Sequence, residues 1–323
     1  MSERRYGVTV PFSAYPLHEQ KPWYEELVAL GYTDIWSAEA GGHEGLVPLA
    51  LAAAWTPTLR LGTAILPVYT RGAATLAEAT ASMCQAAPGR FALGIGCSSP
   101  TIVENWNAVP FEKPYQRVRD TIRFLRAALT GEKVTAEYET FSVKGFRLDV
   151  PVPEMPPILV AGLRGGMLRL AGREGDGAIT NWLSPADVPK IREQVGPDKE
   201  IVARIIVLPT TDFDTVRAVG RRTVTAYLTV PAYAAFQEWL GRGDALREMN
   251  AAWNAGDRAR ALELVPDTLI DELIVHGTPE ECARGVEEYA AAGITTTAPM
   301  IHAKDEQLRE LLRALAPKAS SNG

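Results

Sequence analysis

Eight short runs rich in β-branched and apolar residues recur along this chain, each followed by a longer helix-patterned stretch, and that alternation limits the fold more than any other feature. The runs occupy 5–12, 33–39, 60–69, 91–97, 157–163, 178–182, 201–209 and 294–299. Strands that alternate with helices pair in parallel, because each helix carries the chain back to the starting edge of the sheet. Eight of them satisfy the closure of a TIM barrel, whereas an open doubly wound sheet usually needs fewer. The helical pattern is clearest over 115–129, where Val118, Ile122, Leu125 and Leu129 recur at helical spacing and Gly131 follows as a stop. The expected class is therefore α/β, a (β/α)8 barrel.

Two stretches break the alternation. Residues 132–156 are β-rich and end in prolines, too long for a simple connection, and predict a β-hairpin inserted after the fourth helix that could shield part of an active site. Residues 231–273 predict a helical insertion before the last βα unit, with Trp239 and Trp253 looking exposed. It is either a lid or a subunit surface, or a set of helices that bury their own apolar faces. Residues 1–317 then read as one domain and 318–323 as a disordered tail.

Composition narrows the function classes. A net charge of −6 with scattered Lys and Arg offers no basic face, so nucleic acid is not an expected partner. Cys84, Cys97 and Cys282 lie far apart with no CxxC and no nearby His, which argues against a disulfide framework and against a metal site. A reducing, cytoplasmic setting fits them best. The opening MSERRYGVTVPF lacks the apolar core of a signal peptide, and no run approaches the length of a membrane span.

In a barrel of this kind the chemistry sits where strands end and loops begin. The second run ends WSAEAGGHEG, which puts Glu39 at the mouth with His43 and Glu44 behind it, the only titratable cluster at a predicted strand end. Glu39 or His43 could shuttle a proton; equally, Glu39 could pair with an arginine and orient a loop. The third run leaves Ala64 and Ile65 near the mouth, where periodicity alone makes them core. The fourth ends LGIGCSSP, whose Gly96, Cys97 and Ser98 allow close backbone approach and supply a hydroxyl, although a tight turn explains them as well. The fifth ends in a glycine-rich turn, Gly162, Leu163, Arg164 and Gly165, directly before a helix. Free N–H groups, the helix dipole and the arginine make that turn an anion site, with phosphate binding weighed against a plain helix cap. Phe12, Tyr69, Trp106 and Trp182 fall at or just beyond strand ends and could stack on an apolar substrate or belong to the core. No Walker A, GxGxxG, GxSxG or HExxH pattern occurs, and no predicted strand end carries a Schiff-base lysine.

Taken in order, GYTDIWSAEA, LRLGTAILPVYTRGAATLAEA, GRFALGIGCSSPTIVENW, PPILVAGL, AGREGDGAI and HGTPEECARGVEEYAAAGI resemble signature segments of the luciferase-like monooxygenase superfamily. SSPTIVENWNAVPFEKP and TRGAATLAEA look closest to its actinobacterial members that use the deazaflavin coenzyme F420. The resemblance implies a non-prolyl cis peptide between Ala64 and Ile65 behind the deazaflavin ring. It implies contact of Gly96, Cys97 and Ser98 with the cofactor, and phosphate binding by Gly162, Leu163, Arg164 and Gly165. Glu39 and Ala40 stand where the family's sugar-phosphate dehydrogenases carry an Asp-His pair, which argues against sugar oxidation. The expectation is an F420-dependent oxidoreductase moving a hydride between deazaflavin C5 and an unsaturated or carbonyl carbon of a small organic substrate, as a homodimer by the family's habit. An FMN-dependent two-component monooxygenase is the alternative within enzymes. A non-catalytic flavin-binding protein is the alternative outside them.

Overall fold

The structure, a computed structural model, describes residues 4–317; the tail expected at 318–323 lies outside them. The strands are β1 (Arg5–Thr9), β2 (Asp34–Ser37), β3 (Arg60–Thr63), β4 (Leu66–Pro67), β5 (Phe91–Gly96), β6 (Val134–Glu137), β7 (Ser142–Phe146), β8 (Ile158–Ala161), β9 (Gly177–Asn181), β10 (Glu200–Leu208), β11 (Ile274–His276) and β12 (Thr296–Ile301). In ring order β1, β2, β3, β5, β8, β9, β10 and β12 pair in parallel, and β12 returns to β1, so the eight predicted runs close a TIM barrel. β4 and β11 are short additions alongside β5 and β10.

The helices of the repeating units are α1 (Lys21–Ala29), α2 (Val47–Trp55), α3 (Ala73–Ala86), α4 (Pro114–Ala128), α5 (Gly165–Arg173), α6 (Val188–Val195) and α7 (Phe213–Leu228). The 231–273 insertion becomes α8 (Pro231–Leu240), α9 (Gly243–Asn254), α10 (Arg258–Glu263) and α11 (Asp267–Leu273), before α12 (Pro279–Ala291) and α13 (Asp305–Leu315). Local chemistry sets their ends. Pro114 and Pro279 open α4 and α12 at positions where no helical N–H is lost, and Thr278 with Glu281 forms a reciprocal capping box at α12. No helix of the described residues is long and apolar enough to cross a membrane.

The bore is packed in layers by inward-facing residues. At the bottom, where the strands begin, Arg5 grips Asp34 at 2.8 and 3.0 Å, and Arg60 grips Glu200 at 2.8 and 2.9 Å while reaching Asp34 at 3.3 Å. The Thr296 hydroxyl completes the layer on Glu200 at 2.7 Å. Burial raises the Glu200 carboxyl, but the Arg60 guanidinium and the Thr296 hydroxyl outweigh it and hold the group below its usual range. Above this lies Trp36, fully buried, with the Arg60 guanidinium 5.5 Å from its ring centroid. Gly62 is required there: a Cβ on it would fall 2.3 Å from the Trp36 ring. Ala92, Leu159, Ile179, Val202 and Ala298 fill the rest of the bore, so among the described residues the floor is closed and a ligand would enter at the mouth.

The insertions differ from expectation in detail. The hairpin forms, as β6 and β7, but it packs on the flank of α4: Phe124 meets Tyr138, Phe141 and Phe146, and Asp120 accepts hydrogen bonds from Thr140. Only its tip approaches the mouth, through Arg117, which lies 4.8 Å from the Phe141 ring and 5.7 Å from that of Tyr69. In the helical insertion Trp239 and Trp253 are half-buried instead of exposed, each beneath a cation, Lys190 and Arg258 respectively. α9, α10 and α11 bury Leu246, Met249, Ala261, Leu269 and Ile270 in the main core. α8 alone reaches the mouth, where Gln237 donates to the carbonyl of Trp182 at 2.6 Å.

Candidate active site

Two walls face each other across the barrel mouth. The first is built by β3, β4 and β5. After Thr63 the chain leaves β3, passes through a cis peptide between Ala64 and Ile65, and rejoins the sheet as β4 beside β5. Thr63 ties the start of this bulge to Gly94 through hydrogen bonds of 2.8 Å in both directions, and a Cβ on Gly94 would lie 1.9 Å from the Thr63 carbonyl oxygen. Gly96 is constrained in the same way, because a Cβ would sit 2.8 Å from Ala161 and 3.2 Å from Ile65. The wall is therefore smooth and close to bare backbone. It ends at Cys97 and at Ser98, which adopts a left-handed conformation (φ 63°). Burial pushes the Cys97 thiol up to about 11, so at neutral pH it is a neutral, weakly polar surface.

The opposite wall comes from β9, β10 and α8. Arg204 is an inward residue of β10, on the same face as Glu200 and Val202, and pairs in register with Asn181 of β9. Its side chain crosses the bore and donates from Nη1 to the Ala64 carbonyl oxygen at 3.2 Å. β10 and β3 lie on opposite sides of the ring, so this arginine spans the mouth. Asn181 donates to the Tyr233 hydroxyl at 3.3 Å, and Trp182 packs against Tyr227 with ring centroids 5.1 Å apart.

A third region lies toward the β2, β3 and β5 loops, where a cleft of about 420 Å³ is lined by Glu39, His43, Arg71, Ile102 and Trp106, among others. Arg71 bridges the carboxylates of Glu39 and Glu44, and Glu44 also accepts the N–H groups of Leu46 and Val47 at 2.8 Å, capping α2. Glu39 therefore stands in the arginine-paired, loop-ordering arrangement, with its carboxylate occupied. His43 is exposed in the same cleft.

The remaining predicted residues separate. Trp106 is 58% exposed and lines the cleft. Phe12 is buried edge-on against Trp23 at 5.9 Å, and Gln20 holds its backbone N–H and carbonyl. Trp182 is buried at the rim, its carbonyl taken by Gln237. Tyr69 is buried against Phe111 with its hydroxyl on the Glu112 carbonyl, and the Cys97 thiol is among its neighbours. Gly162 and Gly165 sit in the turn that opens α5, and Arg164 there is exposed. A Cβ on Gly162 would fall 2.9 Å from Leu168, so the close turn requires glycine. Arg164, the N-cap, places no side-chain hydrogen bond on α5, and among the described residues no side chain accepts from the first N–H groups of the helix, which stand free beside the exposed Arg164.

Sequence reasoning missed Arg71, Arg204, Asn181 and Tyr233. Arg204 had a signal: a lone cation in the apolar run IVARIIVLP, two residues from Val202 and four from Glu200, and hence inward-facing.

Comparison with known proteins agrees with this architecture. The family model described as luciferase-like monooxygenase matches residues 6–296. The 5,10-methylenetetrahydromethanopterin reductase of Archaeoglobus fulgidus is 26% identical over 288 residues, covering 84% of this chain and 86% of its own. Among solved structures, the coenzyme F420-dependent tetrahydromethanopterin reductase of Methanopyrus kandleri superposes with a TM-score of 0.78 at 19% identity, covering 98% of each chain. An F420-dependent secondary alcohol dehydrogenase bound to an F420-acetone adduct superposes with a TM-score of 0.79 at 16% identity, again over 98% of each chain. Likeness at such identities speaks for the fold alone.

Proposed function

Since this chain belongs to the luciferase-like monooxygenase family, we propose that it is an F420-dependent oxidoreductase acting on a small organic substrate. The observation that carries the reading is the pairing of the backbone-lined wall of Ala64, Ile65, Gly96, Cys97 and Ser98 with the uncapped start of α5 at Arg164. A planar ring needs a smooth wall it can approach closely, and a phosphate-bearing tail needs free N–H donors with a cation. The residues present suit both demands. When bound, the deazaflavin would supply hydride exchange at its C5.

The protein's share is to bind, orient and keep out water. Gly162, Leu163, Arg164 and Gly165 would hold the phosphate. Ala64 and Ile65 would back the ring, and Cys97, uncharged at neutral pH, would adjoin it without adding a competing charge. Trp106 and the open cleft beside it would admit the substrate, with His43 exposed there to move a proton while Arg71 holds Glu39 in place. The substrate's reacting carbon would be an unsaturated or carbonyl carbon.

Equilibrium binding of F420 and of FMN, followed in parallel by deazaflavin fluorescence and flavin absorbance, tests this. F420 should bind, and Arg164→Ala should weaken it about tenfold or more, the worth of a charge-assisted hydrogen bond to phosphate. Binding of FMN alone would move the protein to the two-component monooxygenases, and binding of neither would overturn the proposal.

A further inference from the structure

The donor inventory at the β9, β10 and α8 wall is unbalanced. A guanidinium carries five N–H donors. Arg204 uses one, toward the Ala64 carbonyl, while its Nε is sealed from solvent with no partner, and no carboxylate of the described residues pairs with it. Its titratable neighbours are the phenols of Tyr227 and Tyr233, which do not neutralise it. The Tyr233 hydroxyl accepts from Asn181 and donates to no group among the described residues. A half-buried cation with a sealed Nε and a phenolic O–H thus share one corner of the mouth, and neither meets a counter-charge among the described residues. Such an arrangement is costly until a negatively charged acceptor enters.

We propose that Arg204, with Asn181 and Tyr233, forms a carboxylate-binding subsite, so that the substrate is a small organic acid held by its carboxylate. This rests on the oxidoreductase reading for the word substrate, although the subsite itself does not depend on it. A planar fork of donors matches two coplanar oxygens, which favours a carboxylate over a neutral carbonyl. The position favours substrate over cofactor. The Arg204 guanidinium reaches the Ala64 carbonyl on the wall assigned to the ring, and Asn181 stands on β9 next to the β8 strand that leads into the α5 turn, so an acid held there would lie against the ring, where a hydride partner must sit. Tyr233 also belongs to the helical insertion, a segment that decorates the barrel and is therefore suited to setting specificity.

Paired probes test it. Sodium benzoate against benzamide, and sodium crotonate against crotonamide, are titrated into the protein with and without F420, following tryptophan fluorescence and, in the complex, deazaflavin fluorescence. In at least one pair the acid should bind about tenfold or more tightly than its isosteric amide, as a charge-assisted contact requires. Arg204→Gln should erase that preference while leaving F420 affinity within about twofold, and Arg204→Lys, which keeps charge but loses the fork, should retain part of it. Equal binding of acid and amide, or of neither, overturns the subsite, as does a preference that survives in Arg204→Gln. Loss of F420 affinity in Arg204→Gln with the acid preference intact also overturns it, by assigning the arginine to the cofactor. If F420 fails to bind while the acid preference and its loss in Arg204→Gln persist without cofactor, the oxidoreductase reading fails and the subsite stands.

Discussion

The two ends of the barrel bore carry charge on the same strands to opposite effect. Glu200 and Arg204 lie four residues apart on one face of β10, both pointing inward. Glu200 sits in a closed layer where Arg5, Asp34, Arg60 and Thr296 leave its carboxylate fully matched. Arg204 sits at the mouth with one hydrogen bond and no counter-charge. Matched charge at the strand starts closes the barrel floor and serves stability, whereas unmatched charge at the strand ends costs stability and offers binding.

Breaking the floor should have the largest effect. Asp34→Ala removes the anion shared by Arg5 and Arg60 from a fully buried position, and should lower unfolding free energy by about 3–5 kcal/mol in urea denaturation, leaving F420 affinity of the folded fraction unchanged. A loss under about 1 kcal/mol would show that the floor's charges are not structural. The mouth should respond with the opposite sign and a smaller size. Arg204→Met, which exchanges an unpaired cation for an apolar chain of similar reach, should leave stability unchanged or raise it by about 1 kcal/mol. A loss above about 2 kcal/mol in the same assay would mean that the Ala64 contact is a structural strut.

The smallest difference concerns acid. The Glu200 carboxyl is depressed in the folded state, so its contribution is present above its ordinary value of 4.5 and is lost as pH falls through the depressed folded value. Stability measured from pH 6 downward should therefore begin to fall near that ordinary value, and Glu200→Gln should remove this part of the slope. A slope unchanged in Glu200→Gln would assign the acid sensitivity elsewhere.

Much of the barrel was legible because strand and helix periods are local. All eight predicted runs overlap a barrel strand, and the bounds over 115–129 differ from those of α4 by one residue at each end. The hairpin was legible from its prolines and length, but its seat on α4 was not, since that depends on Phe124 meeting three aromatics up to 22 residues away. Phe12 shows the limit of a strand-end rule: it follows β1 closely, yet Gln20 and Trp23 fold it into the core, while Trp106, farther beyond β5, stays open. Glu39 was visible as a mouth residue, whereas its partner Arg71, 32 residues on, was not.

The sequence by itself determined the number and order of the strands and the parallel closure that follows. These depend on interactions between residues a few positions apart. The tertiary structure alone decided which charges are matched. Arg204 and the Ala64 carbonyl are 140 residues apart and meet only because closure sets β10 opposite β3, and Tyr233 joins them only because α8 folds back over β9. Pairing across a closed bore is a property of the ring, and no window of the chain contains it.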